Sequence, residues 1–482
     1  MRRTLNESMK VLLLHSNDIH SRLEQAAKMA GYIADQRRVY GSDRVLVVDC
    51  GDHMDRMRLE TEGSDGLVNI ELLNAAGYEA FVPGNNEGLT YPMGSLAESL
   101  GKRARFAVLG ANMRVMATGE RPEWLQPGTI VKKGGLSIGL IGVTAAFADF
   151  YKLLGWQVTD PLEAVREQVR AMRSHTDVLV VMSHLGLPLD RRMAEEIEGI
   201  DLILGGHTHH LLEEPLVIGH TTICAAGKFG ERIGRVEIGL DPAGSRPVFR
   251  AECVPVAAFP EDAAAAGIIG SYREAGERRL SRVIARLDAP LPASTERESP
   301  LGNLLAAGLR RHADAEIGIV NAGQLLGGLA KGDVTAGQLH ALCPSPINPC
   351  RMKLAGSLIR QALEESLLDE FTAMPIRGFG FRGEVLGALA VDGLDIVYDP
   401  DGPDYGKIRS ISVNGSPFDE RRQYVVGTID MFTFGVGYKS LREGREIRYY
   451  LPEFIRDIVA DCLGDPDLIS RCRQKRWKAV GT

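Results

Sequence analysis

The chain has 482 residues, 44% of them hydrophobic and 25% charged. These are the proportions of a globular protein too long for one core, so two or three domains are expected. A formal net charge of -7 excludes a surface built to coat nucleic acid, because no excess of Lys and Arg is left to neutralise phosphates. Any anionic ligand must be attracted locally, by metals and a few arginines.

The N-terminal stretch Met1–Lys10 carries two arginines with no apolar segment behind them, so neither a signal peptide nor a membrane span is read there. A cytoplasmic location is expected. Val11–His15 predicts a strand. Ser21–Arg38 predicts a helix, with Leu23, Ala27, Ala30, Ile33 and Ala34 at helical spacing. A strand follows at Val45–Asp49, a helix at Asp65–Ala76 closed by Gly77, and a short strand at Ala80–Pro83. Thr129–Val143 holds two β runs around Lys133-Gly134-Gly135, a hairpin signal. Asp160 and Pro161 open a helix that runs to about Arg173. Val178–Ser183 and Leu202–Leu204 complete an α/β alternation.

After Val256 the composition changes. The Ala-rich stretch Glu261–Ala266 leads into Ser271–Arg286, dense in Glu and Arg, which predicts an exposed linking helix. A second α/β segment follows, with strands at Ile317–Val320, Asp395–Tyr398, Ile408–Val413 and Tyr424–Thr428 and a helix at Ala355–Leu368. The seven cysteines are scattered without CxxC spacing. Cys50, Cys224, Cys253 and Cys462 sit in or beside apolar runs, as reduced thiols do.

Five motifs each follow a strand-like run: Asn17-Asp18-Ile19-His20, Gly51-Asp52, Gly84-Asn85-Asn86-Glu87, Ser183-His184, and Gly205-Gly206-His207-Thr208-His209-His210. Asp18 and His20 flank Ile19 and would share a side on an extended strand end; His207 and His209 have the same spacing. Asp52 has two oxygens and can bridge two ions. Asn85 offers a neutral carbonyl oxygen, and His184 an imidazole nitrogen. The expected sets are Asp18, His20, Asp52 and His209 for one ion, and Asp52, Asn85, His184 and His207 for the other. Such mixed N/O ligation suits two divalent ions of Mn, Fe, Co or Zn. His15 falls on the alternating strand and is read as structural, as is His210.

These residues resemble the 5′-nucleotidase branch of the calcineurin-like metallophosphoesterases. In the C-terminal half the resemblance rests on Leu301-Gly302-Asn303-Leu304, Asn321-Ala322-Gly323 and Gly435-Val436-Gly437-Tyr438. It implies a four-layer αββα catalytic domain over 1–256, a linking helix over 257–290, and a smaller α/β C-terminal domain over 291–482 that presents the nucleotide. The family's third motif carries a His where this chain has Asn86, and an Asp three residues later where it has Leu89. Asn86 is the expected catalytic residue, able to donate a neutral hydrogen bond but not to carry a proton or positive charge. His53 is a conceivable substitute. The family's phosphate-holding Arg in Asn-Gly-Gly-x-x-Arg is replaced by Leu326.

For the base, Phe379, Phe381, Phe432 and Phe434 are the candidates, with Phe432 and Phe434 equally readable as core. Arg377 is the candidate phosphate contact, with Arg382 and Arg351 as alternatives. The expected function is metal-dependent hydrolysis of a nucleotide, foremost a nucleoside 5′-monophosphate, by a metal-bridging hydroxide. The alternatives are a 2′,3′-cyclic nucleotide or a nucleotide sugar as substrate, or a catalytically weak nucleotide-binding protein. The expected partner is a small-molecule nucleotide, with no nucleic-acid polymer and no membrane; the oligomeric state is left open.

Overall fold

A computed structural model describes residues 9–241 and 246–481. The segment 1–8, which carries both N-terminal arginines, lies outside the described residues. No described helix is long and apolar enough to cross a membrane. The chain divides into two compact units, one ending at Gly276 and the other beginning at Glu277.

The first unit is built on two sheets. In the first, the strands run in the order 247–255, 232–240, 9–16, 45–49, 80–81, 107–109 and 125–126. In the second the order is 216–218, 221–225, 202–205, 178–184, 136–144 and 128–133. Both faces of the central strands are apolar, and β alternation sends successive residues to opposite layers. Val11, Leu13, Leu46 and Val48 meet Ile138, Leu140, Val180 and Leu204 between the sheets. Leu12, Leu14, Val45 and Val47 point the other way, into the helices Leu23–Tyr40 and Leu67–Ala76. Ile141, Val143, Leu179 and Val181 pack outward against the helix Pro161–Met172 through Leu162, Val165 and Val169. The result is the expected αββα layering.

Local signals fall where the physics puts them. Gly77 closes its helix at φ 70°, and Asp160 accepts from the amides of Leu162 and Glu163. Gly134 and Gly135, at φ 55° and 82°, turn the hairpin between Gly128–Lys133 and Leu136–Thr144. The linking helix differs from expectation. It spans Ala263–Leu280, and Val283–Leu287 is a strand paired with Gly332–Thr335. Nor is the helix merely exposed, because Ala265 and Ile269 insert into the core of the first unit. The charge-dense sequence masked that apolar stripe.

The second unit holds a five-stranded sheet in the order 389–392, 317–321, 423–429, 349–355 and 445–449, and a four-stranded sheet in the order 416–417, 408–413, 394–398 and 477–479. The helices Pro300–His312 and Ile455–Leu463 contribute Leu304, Leu305, Ile458 and Val459 to its core. All seven cysteines are free thiols.

Candidate metal centre

Every motif of the first unit lies at the C-terminal end of a parallel strand, three in the first sheet and two in the second, where the loops of both sheets converge. Two of these loops are zipped together by their backbones. Asp18 N donates to Gly51 O at 2.9 Å, His20 N to Asp52 O at 2.9 Å, and Ser21 N to His53 O at 2.8 Å. The side chains do not converge by strand alternation, as the spacing suggested. Asp18, His20, Asp52, His207 and His209 all have left-handed φ, between 47° and 73°. Each such non-glycine residue costs on the order of 1–3 kcal/mol, a strain that persists where the surroundings over-determine it and that gathers at functional sites.

The turns bring the candidate ligands into two groups. Asp18, His20 and His209 form one; Asp52, His184 and His207 form the other; within each, the potential ligand atoms lie within 4.8 Å of one another. In the first, His20 Nε2 is 3.2 Å from His209 Nε2, which is 3.5 Å from Asp18 Oδ1. In the second, His184 Nε2 is 3.3 Å from Asp52 Oδ1 and 3.2 Å from Asn85 Oδ1.

The donor set fits divalent ions. His184 Nδ1–H donates to the Cys50 carbonyl at 2.7 Å, which fixes the tautomer and turns the Nε2 lone pair toward Asp52 and Asn85. His20 Nε2 and His209 Nε2 face each other at hydrogen-bond distance, and either nitrogen, once unprotonated, offers a lone pair to an ion beside Asp18. Supporting residues hold the carboxylates. Asn17 Nδ2 donates to Asp18 Oδ2 and to Gly227 O, both at 2.7 Å, and His207 N donates to Asp18 Oδ2 at 3.0 Å. The buried Glu87 carboxylate accepts from the amides of Gly84 (2.7 Å), Asp52 (3.0 Å) and Met54 (2.8 Å), tying the second and third motifs together. Gly84 is obligatory, since a Cβ there would collide with Asp52 Oδ1. Asn17 and Glu87 stood within the motifs, but their roles needed the fold to be seen.

Without ions, protons take their place. Burial alone would depress His184, but Asp52, Asp18 and the Cys50 carbonyl outweigh it and raise the imidazole to about 10. Burial pushes Asp18 up to about 7. Both groups must lose their protons to become ligands, so metal affinity should weaken as pH falls below about 10, where His184 holds its proton, and more steeply below about 7, where Asp18 does too. The expected slope is up to about tenfold per pH unit for each proton displaced. Calorimetry of Mn²⁺ binding in buffers of different ionisation enthalpy reads the protons released; a heat independent of buffer would contradict this picture.

The remaining sequence candidates separate clearly. Asn86 sits at the centre, with Nδ2 2.9 Å from His20 Nδ1 and 3.1 Å from Met54 O, and its amide N donates to Asp52 Oδ1 at 2.7 Å. His53 is buried, bonds Asn69 Nδ2 through Nδ1 at 3.1 Å, and is held down to about 3 by burial and by His20. It is therefore neutral and no proton donor. His15 is likewise buried and depressed to about 4. His210 pairs with Thr208 Oγ1 at 2.8 Å, outside both ligand groups.

In the second unit, Phe379 and Phe434 are 56% and 40% exposed, with near-parallel rings 6.2 Å apart at 25°. Phe381 does not join them. It is 4% exposed and part of the core, as is the fully buried Phe432, so neither has a face for a base. Gly378, Phe379 and Gly380 all have left-handed φ, and this twist sends residue 379 outward and residue 381 inward. Arg377 is exposed beside Phe379, whereas Arg382 Nη1 donates to the Phe381 carbonyl at 3.3 Å and Arg351 is half-buried on the strand Pro349–Ala355. Leu326, where the family places its arginine, is 50% exposed.

Residues 11–211 match the calcineurin-like phosphoesterase family, and residues 282–442 match the 5′-nucleotidase C-terminal domain. The uncharacterized metallophosphoesterase YunD of Bacillus subtilis (strain 168) is 35% identical over 456 residues, covering 94% of this chain and 98% of YunD. Among solved structures, a 5′-nucleotidase precursor from Thermus thermophilus aligns over 98% of this chain and 99% of its own, with 23% identity and a TM-score of 0.59. The Haemophilus influenzae NAD nucleotidase aligns over 98% and 97%, with 17% identity and a TM-score of 0.67. These two show a shared fold. Matched in succession by both family domains, and along almost its whole length by a metallophosphoesterase, the chain belongs to the 5′-nucleotidase branch of the calcineurin-like metallophosphoesterases, hydrolases that act on phosphoester bonds.

Proposed function

We propose that this protein hydrolyses nucleotides, foremost nucleoside 5′-monophosphates, to nucleoside and phosphate. The observation that carries the reading is the convergence of Asp18, His20, Asp52, Asn85, His184, His207 and His209 into two adjacent ligand groups. Asp18, His20 and His209, with a shared Asp52, would hold one divalent ion; Asp52, Asn85, His184 and His207 would hold the other. Ions so held lower the pKa of a water and neutralise the phosphoryl oxygens. The chain's own residues supply orientation. Asn17 and the His207 amide fix Asp18, Glu87 fixes the loop carrying Asp52, and Asn86 presents an amide beside His20.

The nucleotide part of the reading rests on Phe379 and Phe434. Their centroids lie 6.2 Å apart at 25°, within the about 4.5–7 Å range of aromatic pairs, so a flat base would stack on an exposed ring face or enter once the two rings part. Arg377, exposed and two residues from Phe379, would supply the contact to the phosphate or ribose end.

The test is phosphate release by metal-stripped protein given back Mn²⁺, Co²⁺, Zn²⁺ or Mg²⁺, with nucleoside monophosphates and p-nitrophenyl phosphate as substrates. Metal-dependent release is expected. Stacking on an aromatic side chain is worth roughly 1–3 kcal/mol per base, so Phe379→Ala or Phe434→Ala should raise KM for AMP by about 5- to 150-fold. The aryl phosphate should be spared that loss. Equal losses with both substrates would remove the base from the site.

A further inference from the structure

Two buried carboxylates outside the ligand sets stand behind the turns that carry the ligands. Asp49 and Asp190 are 0% and 1% exposed. Each is bonded by a buried serine at a strand end. Ser16 Oγ donates to Asp49 Oδ2 at 2.5 Å, and Ser183 Oγ donates to Asp190 Oδ1 at 2.5 Å.

Asp49 lies opposite Ser16 in the parallel register of the strands Met9–Ser16 and Val45–Asp49. Its other oxygen accepts from Gly51 N at 2.9 Å. The Ser16 hydroxyl points its proton at Asp49, so the Tyr78 hydroxyl, 2.9 Å from Ser16 Oγ, donates to it from behind. One carboxylate thus pins the residue two before Asp18 and the glycine, at φ 94°, that precedes Asp52. Asp190 comes from the helix Leu187–Glu196. Ser183 is paired with Gly205 across neighbouring strands, and the Asp190 carboxylate reaches both. It holds the Ser183 hydroxyl, and a Cβ at Gly205 would come within 2.5 Å of Asp190 Oδ2. His184 follows Ser183 directly, and His207 stands two residues after Gly205. The intervening Gly206 N donates to Ser183 O at 2.9 Å.

We propose that Asp49 and Asp190 are positioning residues of the metal centre, Asp190 holding His184 and His207 for one ion and Asp49 holding Asp18 and Asp52, the carboxylate offered to both. This rests on the ligand sets proposed above. Filling space does not call for such pairs, because apolar groups of the same shape can replace both partners of a buried hydrogen bond at little cost. What the bonded pair adds is direction. The ligand turns need it, since Asp18, Asp52 and His207 stand in left-handed backbone that persists only where the surroundings over-determine it. Asp49 and Asp190 fasten the strand ends from which those turns spring.

The experiment is calorimetry of Mn²⁺ binding to the full metal-stripped protein, wild type against Asp190→Ala, Ser183→Ala, their double variant, Asp190→Asn and Asp49→Ala. Thermal melting of the metal-free forms shows that each is folded; should Asp190→Ala fail to fold, Ser183→Ala, which removes only a hydroxyl, carries the same test. Asp190→Ala and Ser183→Ala should each weaken one of two Mn²⁺ sites about tenfold and leave the other as it was. That is the low end of the roughly 10–100-fold cost of losing an outer-shell partner, because the hold is passed on through the backbone. The double variant should lose no more than either single one, since both remove the same contact. Asp190→Asn keeps an acceptor for the Ser183 hydroxyl and should restore the site. Asp49→Ala should weaken both sites, because Asp52 belongs to both sets. Equal weakening of both sites by Asp190→Ala, additive losses in the double variant, or an asparagine no better than alanine would each overturn the proposal. Two ions bound by wild type with the variants indifferent would overturn it and leave the ligand sets standing. No ion bound by wild type would overturn the ligand sets and the proposal together.

Discussion

Replacing Asp52 with alanine is expected to abolish turnover, with phosphate release falling by at least about 10³-fold, well beyond the roughly 10–100-fold cost of losing an outer-shell partner of a ligand. Asp52 is 2% exposed and held well below the usual carboxylate range; burial would raise it, but the His184 imidazole and its hydrogen bond prevail. One carboxylate serves three ends. It pairs with His184 at 3.3 Å, accepts from Asn86 N at 2.7 Å, and is the group proposed to serve both ions. Its loss leaves His184 buried without its main counter-charge, so the imidazole would be depressed and the second ligand set broken. Elemental analysis of the purified variant should show less metal than wild type. Asp52→Asn keeps the volume and one acceptor for Asn86 N, and isolates the charge. It should fold as wild type does and still lose most of the activity. An alanine variant that keeps its full metal content and stays within tenfold of wild-type activity would show that Asp52 is not shared.

The candidate ligands could be found in the sequence because each stands at or just after the end of an apolar strand run, and a layered α/β fold brings such ends together. Val45–Asp49 is a strand with the predicted bounds, and the structure gathers Asp18, His20 and His209 in one candidate group and Asp52, His184 and His207 in another. The reason for their convergence was not legible. Left-handed backbone at Asp18, His20, His207 and His209 has only a weak compositional signature: Asp and His enter that region more readily than most non-glycine residues, but too seldom for the sequence to mark these four. The same blindness explains Phe381. Two phenylalanines alternating with glycine look equivalent along the chain, and only the twist at 378–380 separates a solvent-facing ring from a core one.

The second large effect is a gain. Asn86 stands at the position where the family carries a His, and its surroundings define what that replacement does. Asn86 Nδ2 faces the Met54 carbonyl, which can only accept, and so His20 Nδ1 must accept as well, leaving its proton on Nε2. An ion held by His20 Nε2 would reverse this, putting the proton on Nδ1, where the acceptors in reach would be the Asn86 amide oxygen, after a flip, and Asp55 Oδ2 at 3.9 Å. Asn86 is thereby a positioning residue for His20 rather than a source of protons. Asn86→His would restore a group that can be charged and can protonate a leaving oxygen, an effect worth about 10²–10⁴ in rate when the group is oriented.

Orientation is the obstacle. Residues 86 and 89 share one face of the helix Asn85–Thr90, and Leu89 packs against the core of the first unit, offering the new ring no carboxylate. The single variant should therefore gain less than Asn86→His combined with Leu89→Asp, and the double variant should melt lower because a half-buried Leu is lost. The gain should be largest for AMP, whose alkoxide leaving group is poor, and smallest for ADP and p-nitrophenyl phosphate, whose leaving groups depart unaided. A new limb should also enter the pH profile of kcat/KM with AMP, falling as pH rises through the imidazole pKa, because the charged form is the useful one. If both variants accelerate AMP and the aryl phosphate equally, with metal content unchanged, the histidine acts on ligand geometry alone, and proton donation to the leaving group is not what Asn86 lacks.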